Sequence, residues 1–398
     1  MGETPKISDP LEALEAARVN FEEGTDFTVG VEEEFAILDP STLDMVPGFE
    51  RFGEAAPSHP TLSDMIAGEL IRSEVEVRTG RCENFAAAAE TMARRRGDLL
   101  ELSRRLGYEL SAAGTHPFAR WQDQQLIDTP HYHLVESTLR YVAWRNNTFG
   151  LHVHIGIRGA DRAIAVCSAM RTVLPELLAV SSSSPWLDDR LTYLHSTRTQ
   201  IFTRFFPRCG IPDHLANWDE YADFVRFLIS TRSIREHTEI WWSVRPHQAF
   251  PTVEVRICDA QPDLGRSVAL AGLTVALAAQ FARDYDQGLE LPDYAPRLLE
   301  ENLWRAIRWG MSGELIDLRS GRTLPARDRL ADLVDCVTDT ARDLGILPFL
   351  EPVLAPTLSE LAIPLLEEGK GVRELWPQTV EQTRESVAGW LSQRGSMR

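Results

Sequence analysis

The sequence predicts an α+β fold: a curved antiparallel or mixed sheet that forms a cavity, packed by helices, with a helical C-terminal part. Three observations carry that expectation. Strand-like runs are confined to the first two thirds of the chain, they do not alternate regularly with helices, and the last third reads as almost wholly helical. A doubly wound nucleotide fold is disfavoured, because no GxGxxG follows a strand and no GxxxxGK[ST] occurs; "EEGKGV" near Lys370 lacks the required spacing.

Taken in order, residues 1–26 are polar with one helix-like stretch, "PLEALEAARVNFEEG", and read as an N-terminal extension. One domain is expected over 27–398, with a sheet-bearing core at 27–290 and a helical part at 291–398. Period-two alternation marks strands in "FTVGVEEEFAIL", "SEVEVRT", "YELSAAGTHP", "GLHVHIGI" and "TVEVRICDA". Helices are expected from about Asn84 to Leu106 and over 160–180, and "HYH" at 131–133 falls in a predicted loop after Pro130. "VALAGLTVALAAQFA" is too short to span a bilayer and ends at Arg283 and Asp284, so it reads as a buried helix. "PRLLEENLWRAIRWG", "ARDRLADLVDCVTDTARDLG" and "TVEQTRESVAGWLSQRG" complete the helical part.

At 398 residues, with 43% hydrophobic and 25% charged residues, the composition is that of an ordinary soluble globular protein. The net charge of −18, from 59 acidic and 41 basic residues, opposes association with nucleic acid or anionic membrane. Five scattered cysteines without a CxxC pair point to a reducing, cytoplasmic compartment. No export signal is visible, and Lys6 stands where a myristoylation signal requires Ser or Thr.

Side chains at i and i+2 of a strand share a face. Glu32 and Glu34 therefore point one way and Glu33 the other, towards a buried salt bridge behind the sheet. Glu74, Glu76 and Arg78 share a face, as do His152 and His154, and as do Glu254, Arg256 and Cys258, each set opposite aliphatic residues. The outer face of a solvated sheet is normally a mixture of Thr, Ser, Lys, Gln and Glu; here it is Glu, His and Arg. Carboxylates roughly 7 Å apart repel by about 2 kcal/mol at an effective dielectric of about 20, so several such pairs in one cavity call for cations. A glutamate majority with one or two histidines suits Mg²⁺ or Mn²⁺; the alternative is a solvated, salt-bridged face.

Arg256, Arg245, Arg198 and Arg204 are candidates for clamping phosphate or carboxylate. Trp241 and Trp242 read as core aromatics, and "SSSSP" at 181–185 as a helix end and turn, since no GxSxG surrounds it.

Taken together, "FTVGVEEEFAILDP", "SEVEVRT", "AAGTHPFARW", "FGLHVHIGI", "LPELLAVSSSSP", "WWSVRPHQAFPTVEVRICDAQ" and "ENLWRAIRWG" resemble the bacterial glutamate–cysteine ligase type 2 family of carboxylate-amine ligases. The resemblance implies a glutamine-synthetase-like fold and a reaction in which ATP phosphorylates a carboxylate, expected to be the γ-carboxylate of glutamate, and an amine such as cysteine displaces the phosphate. It implies metal-ligand roles for Glu32, Glu34, Glu76, His152 and Glu254, with Glu69 as a further candidate. Arg256 would contact the transferring phosphate, with Arg198 and Arg245 as further nucleotide contacts, and turnover would rest on Arg256 and Glu76. Cofactors are ATP and Mg²⁺ or Mn²⁺; partners are small molecules, not nucleic acid or membrane, and a homodimer is an open expectation. "PHYH" and Arg145 depart from the family pattern before "GLHVH", which bears on the choice of amine. A metal-dependent hydrolase of amides or esters and a noncatalytic nucleotide-binding homologue are the alternatives.

Overall fold

The computed structural model describes residues 9–395; the stretch holding Lys6 lies outside them. Its centre is a 7-stranded sheet. The strands are β1 (Val29–Leu38), β2 (Ile66–Ala67), β3 (Glu74–Arg78), β4 (Glu109–Ser111), β5 (Gly150–Gly156), β6 (Val244–His247) and β7 (Thr252–Asp259). They run in the order β6-β7-β5-β1-β3-β2, with β4 pairing the end of β1. Every pairing in this sheet is antiparallel.

Alternation sorts the strands into two faces, as the pattern predicts. Val29, Val31, Val153, Ile155, Val253 and Val255 are buried in one apolar cluster, and Phe35, Val75 and Val77 in a neighbouring one. Helices cover this greasy face. Helix α1 (Phe85–Leu106) starts where Asn84 accepts the N–H of Ala87 at 3.0 Å and stops at Gly107, whose φ of 82° supplies the left-handed cap. It buries Phe85, Ala88, Met92 and Arg96. The long helix α2 (Leu264–Asp286) holds the apolar run. It and the segment Ala160–Ser181 are long and apolar enough to cross a membrane, yet 89% of each apolar window is buried inside the fold, which makes them core helices.

The structure departs from expectation in four places. The segment read as an N-terminal extension contains a helix, Pro10–Glu22, that packs Leu14, Ala17 and Phe21 into the main core. "HYH" lies in the helix Pro130–Leu139, because Thr129 caps it and Pro130 occupies its first turn, where no N–H is needed. The helical last third includes a hairpin, Glu314–Asp317 with Arg322–Pro325, which Gly321 permits at a φ of 71°. Finally, Cys258 does not share a face with Glu254 and Arg256. A register shift between Val255 and Cys258 turns its thiol into the apolar core, towards the Leu177 carbonyl.

Candidate active site

The polar face of the sheet lines a cavity of about 360 Å³, and register decides which side chains meet there. Glu34 stands opposite Glu76, Glu32 opposite both Arg78 and His152, and Glu254 opposite His154. Glu32, Glu34, Glu69, Glu74, Glu76, His152, His154, Arg198, Arg245, Glu254 and Arg256 all line the cavity, so every predicted ligand and clamp converges except Arg204, which is exposed outside it. Trp241 is in the wall, while Trp242 stacks on Phe224 in the core. His131 reaches the rim and lies 3.9 Å from Glu236.

Glu33 faces away, as the alternation requires. It meets Arg96 at 3.2 Å, and both are buried. Arg96 also donates to the carbonyls of Gln261 and Pro262 at 2.9 and 2.7 Å.

The carboxylates of the cavity fall into two electrostatic groups. Burial works against ionisation of Glu32 and Glu254, but it is outweighed. His154 and His152 hold Glu32 well below its usual range, and Arg245 and Arg256 do the same for Glu254. Arg245 grips Glu254 with two donors at 2.7 and 3.3 Å and gives the remaining nitrogen to the carbonyls of Thr238 and Ile240. Arg256 bonds the same carboxylate, leaving its Nε without a partner among the described residues.

Glu69, Glu74 and Glu76 form the second group, in which Arg256, Arg198 and Arg78 do not outweigh burial and like charge. Burial raises all three, reinforced by Glu34 for Glu69 and Glu74 and by Glu32 for Glu76; Glu69 is pushed up to about 8. Burial and then Arg256 lower His152, which keeps its ring neutral and able to offer a lone pair. Two trios bring ligand atoms within 4.8 Å of one another: Glu32, His152 and Glu254, and Glu34, Glu76 and His152. Oxygen-rich sets with one shared imidazole, carrying unbalanced negative charge, fit a hard divalent cation.

A second cavity, about 620 Å³, shares Glu32 and His154 with the first and is walled by Val29, Val31, Met65, Arg78, Phe250 and Pro251. The N-terminal segment contributes Asn20 and Glu23 to it. Two features escaped sequence reasoning. Asp259 is fully buried at the end of β7, where it accepts hydrogen bonds from the Ser183 N–H (3.0 Å) and the hydroxyls of Ser184 (2.7 Å) and Ser196 (2.9 Å). The serine run is thus a buried donor set for this carboxylate. Arg198 lies 3.8 Å from Asp259, and its guanidinium passes over Gly150, where any Cβ would overlap it. The signal in the sequence was there, in "GL" before "HVH" and "D" after "RIC", but nothing in a strand pattern connects them.

Comparison with known proteins gives this geometry a family. The model of the glutamate-cysteine ligase family 2 matches residues 28–355. The chain belongs to that family. Its relatives include a protein of Sorangium cellulosum that carries the name glutamate–cysteine ligase 2 provisionally, 39% identical over 82% of this chain and 87% of that one. Another, from Rubrobacter xylanophilus with the same kind of name, is 36% identical over 90% and 92%. Among solved structures, the glutamate–cysteine ligase of Francisella tularensis in complex with AMP shares the fold at a TM-score of 0.63 and 14% identity, covering 92% and 90% of the two chains. The bifunctional glutathione synthetase of Pasteurella multocida does so at 0.64 and 12%, covering 95% of this chain and 55% of that longer one. As a member of glutamate-cysteine ligase family 2 the protein is a ligase forming carbon–nitrogen bonds, and the hydrolase alternative falls away.

Proposed function

We propose that this ligase joins the γ-carboxylate of glutamate to an amine at the expense of ATP, through an acyl phosphate. The observation that carries the reading is the pair of adjoining cavities that share Glu32 and His154, one acidic and one largely apolar. The apolar cavity suits a nucleoside, the acidic one the reacting carboxylate, and the shared residues then lie where the γ-phosphate crosses from one to the other.

Glu34, Glu69, Glu76 and His152, with Glu32 and Glu254, would hold Mg²⁺ or Mn²⁺. When bound, the cations offset charge on the transferring phosphoryl group. The chain's own groups do the rest. Arg256, anchored by Glu254 and with Nε unspent, holds the phosphoryl oxygens. Arg245 fixes Glu254 so that the carboxylate cannot turn away. Arg198, whose Nε is also unspent, holds an anionic group in the same cavity.

In the first step a carboxylate oxygen bonds to the γ-phosphorus as the bond to ADP breaks. In the second the neutral amine bonds to the acyl carbon, phosphate leaves, and the amine nitrogen gives up a proton. The free cysteines fit a cytoplasmic enzyme.

Incubation with ATP, Mg²⁺ and glutamate should release phosphate only when an amine is added, cysteine being one member of a broad panel. Nucleotide binding with no phosphate release across that panel would instead select a noncatalytic homologue.

A further inference from the structure

Two buried, oppositely charged side chains in the acidic cavity have polar atoms without partners, and neither belongs to the metal-compatible trios. Glu74 is 1% exposed, and its Oε2 accepts no hydrogen bond among the described residues. Arg198 is 4% exposed, and its Nε donates none. Both line the same cavity, and Arg198 is among the charges that Glu74 feels. A buried carboxylate oxygen or guanidinium N–H left unpaired costs stability. Such groups are retained where a ligand completes them.

Arg198 is held rigidly for that purpose. Its Nη1 donates to the Ile257 carbonyl at 3.1 Å and its Nη2 to the Arg256 carbonyl at 3.3 Å, and Asp259 supplies the counter-charge at 3.8 Å. Asp259 is itself fixed by the three donors from Ser183, Ser184 and Ser196. Gly114, where a Cβ would come within 2.7 Å of Asp259, and Gly150 leave room for the pair.

We propose that Glu74 and Arg198 form a subsite for the α-amino-acid end of the carboxylate substrate, Glu74 accepting from the α-ammonium and Arg198 donating to the α-carboxylate. Asp259 is the positioning residue for Arg198. The inference rests on the ligase reading and deepens it: with the α-carboxylate engaged at Arg198, the side-chain carboxylate is the one presented to the phosphate-binding Arg256. The subsite therefore selects γ-ligation and excludes simple carboxylic acids.

The test uses the full-length protein with ATP, Mg²⁺ and hydroxylamine as the trapping amine, reading hydroxamate from glutamate, glutarate (no α-ammonium) and 4-aminobutyrate (no α-carboxylate). Wild type should prefer glutamate to each analogue by roughly 10- to 100-fold in kcat/KM, the factor expected for one charge-assisted hydrogen bond. Glu74→Gln should raise the glutamate KM by a similar factor, leave kcat within about threefold, and cease to discriminate against glutarate. Asp259→Asn should weaken discrimination against 4-aminobutyrate while leaving that against glutarate in place. Glutarate used as well as glutamate by wild type, or Glu74→Gln keeping the wild-type preference, overturns the subsite and leaves the ligase reading standing. No hydroxamate from any of the three carboxylates would instead overturn the glutamate reading itself. Where a variant fails to fold, a lack of discrimination against either analogue in wild type still overturns the subsite.

Discussion

Glu76 faces Glu34 directly across the sheet, in a cavity where burial already opposes ionisation. Glu76→Gln removes a proposed ligand oxygen while keeping the uncharged shape that burial already favours at this position. The variant should lose at least about 100-fold in ATP-dependent phosphate release and yet melt no lower than wild type in chelator. Turnover near the wild-type rate would remove Glu76 from the ligand set. Behind the sheet the logic reverses, for Glu33 and Arg96 are a buried pair that neither can leave. Arg96→Met should cost about 3–5 kcal/mol in denaturant unfolding, and adding Glu33→Leu should recover part of it, because the stranded carboxylate goes too. Glu34, which faces Glu76, and Glu33 lie side by side in a single run, "VEEEF", and the alternation alone assigned them to opposite sides. What it could not give was Arg96 as the partner, sixty-three positions away on a helix.

At the scale of the element, the strands were legible and their irregularities were not. Four strands showed one apolar and one chemical face because a two-residue period survives in any sequence that buries one side. The bulge that turns Cys258 inward leaves no trace in that period, since one extra residue changes the phase without changing the composition. The helix Pro130–Leu139 was hidden for a similar reason: Pro130 reads as a breaker until Thr129 is recognised as its cap. Gly150 tests how tightly an element is fitted. Gly150→Ala sets a methyl against Arg198, and overpacking of this kind costs about 1–3 kcal/mol. The displaced guanidinium should lower kcat/KM for glutamate by at least about 10-fold, measured by phosphate release beside a denaturation curve. Full activity would mean that Arg198 has room to move.

For the whole molecule, the two electrostatic faces make opposite demands on pH. Glu69 and Glu76 have raised values in the folded state, so the native protein binds more protons than the unfolded chain and their contribution falls as pH rises towards about 8. His116 is buried beside Phe118 and Trp376, with burial lowering it to about 3. The unfolded chain therefore takes up a proton first, and this contribution is complete above the ordinary histidine value and is lost as pH falls towards about 3. In chelator, stability should decline as pH rises from about 4.5 to 8 and also towards strong acid; saturating Mg²⁺ should flatten the first limb and not the second, and His116→Gln should reduce the second, which Glu32 and Glu254 share, without moving the first. Melting temperatures across pH with and without Mg²⁺ would check this, and a first limb unchanged by the metal would contradict it. At this scale the fold class and the gathering of the glutamates were legible because they follow from burial and period, whereas the second cavity was not, because its walls come from five stretches of the chain, at 20–32, 64–65, 78–81, 154 and 249–252. The first of those stretches begins in the helix Pro10–Glu22 and the turn after it, which pattern alone set aside as an extension. For anyone shortening this chain for expression, crystallisation or fusion, Phe27 is the wrong place to cut. A trimmed protein would keep every glutamate of the sheet, and would pass inspection by motif, while missing a wall of the chamber that its energy source is expected to enter.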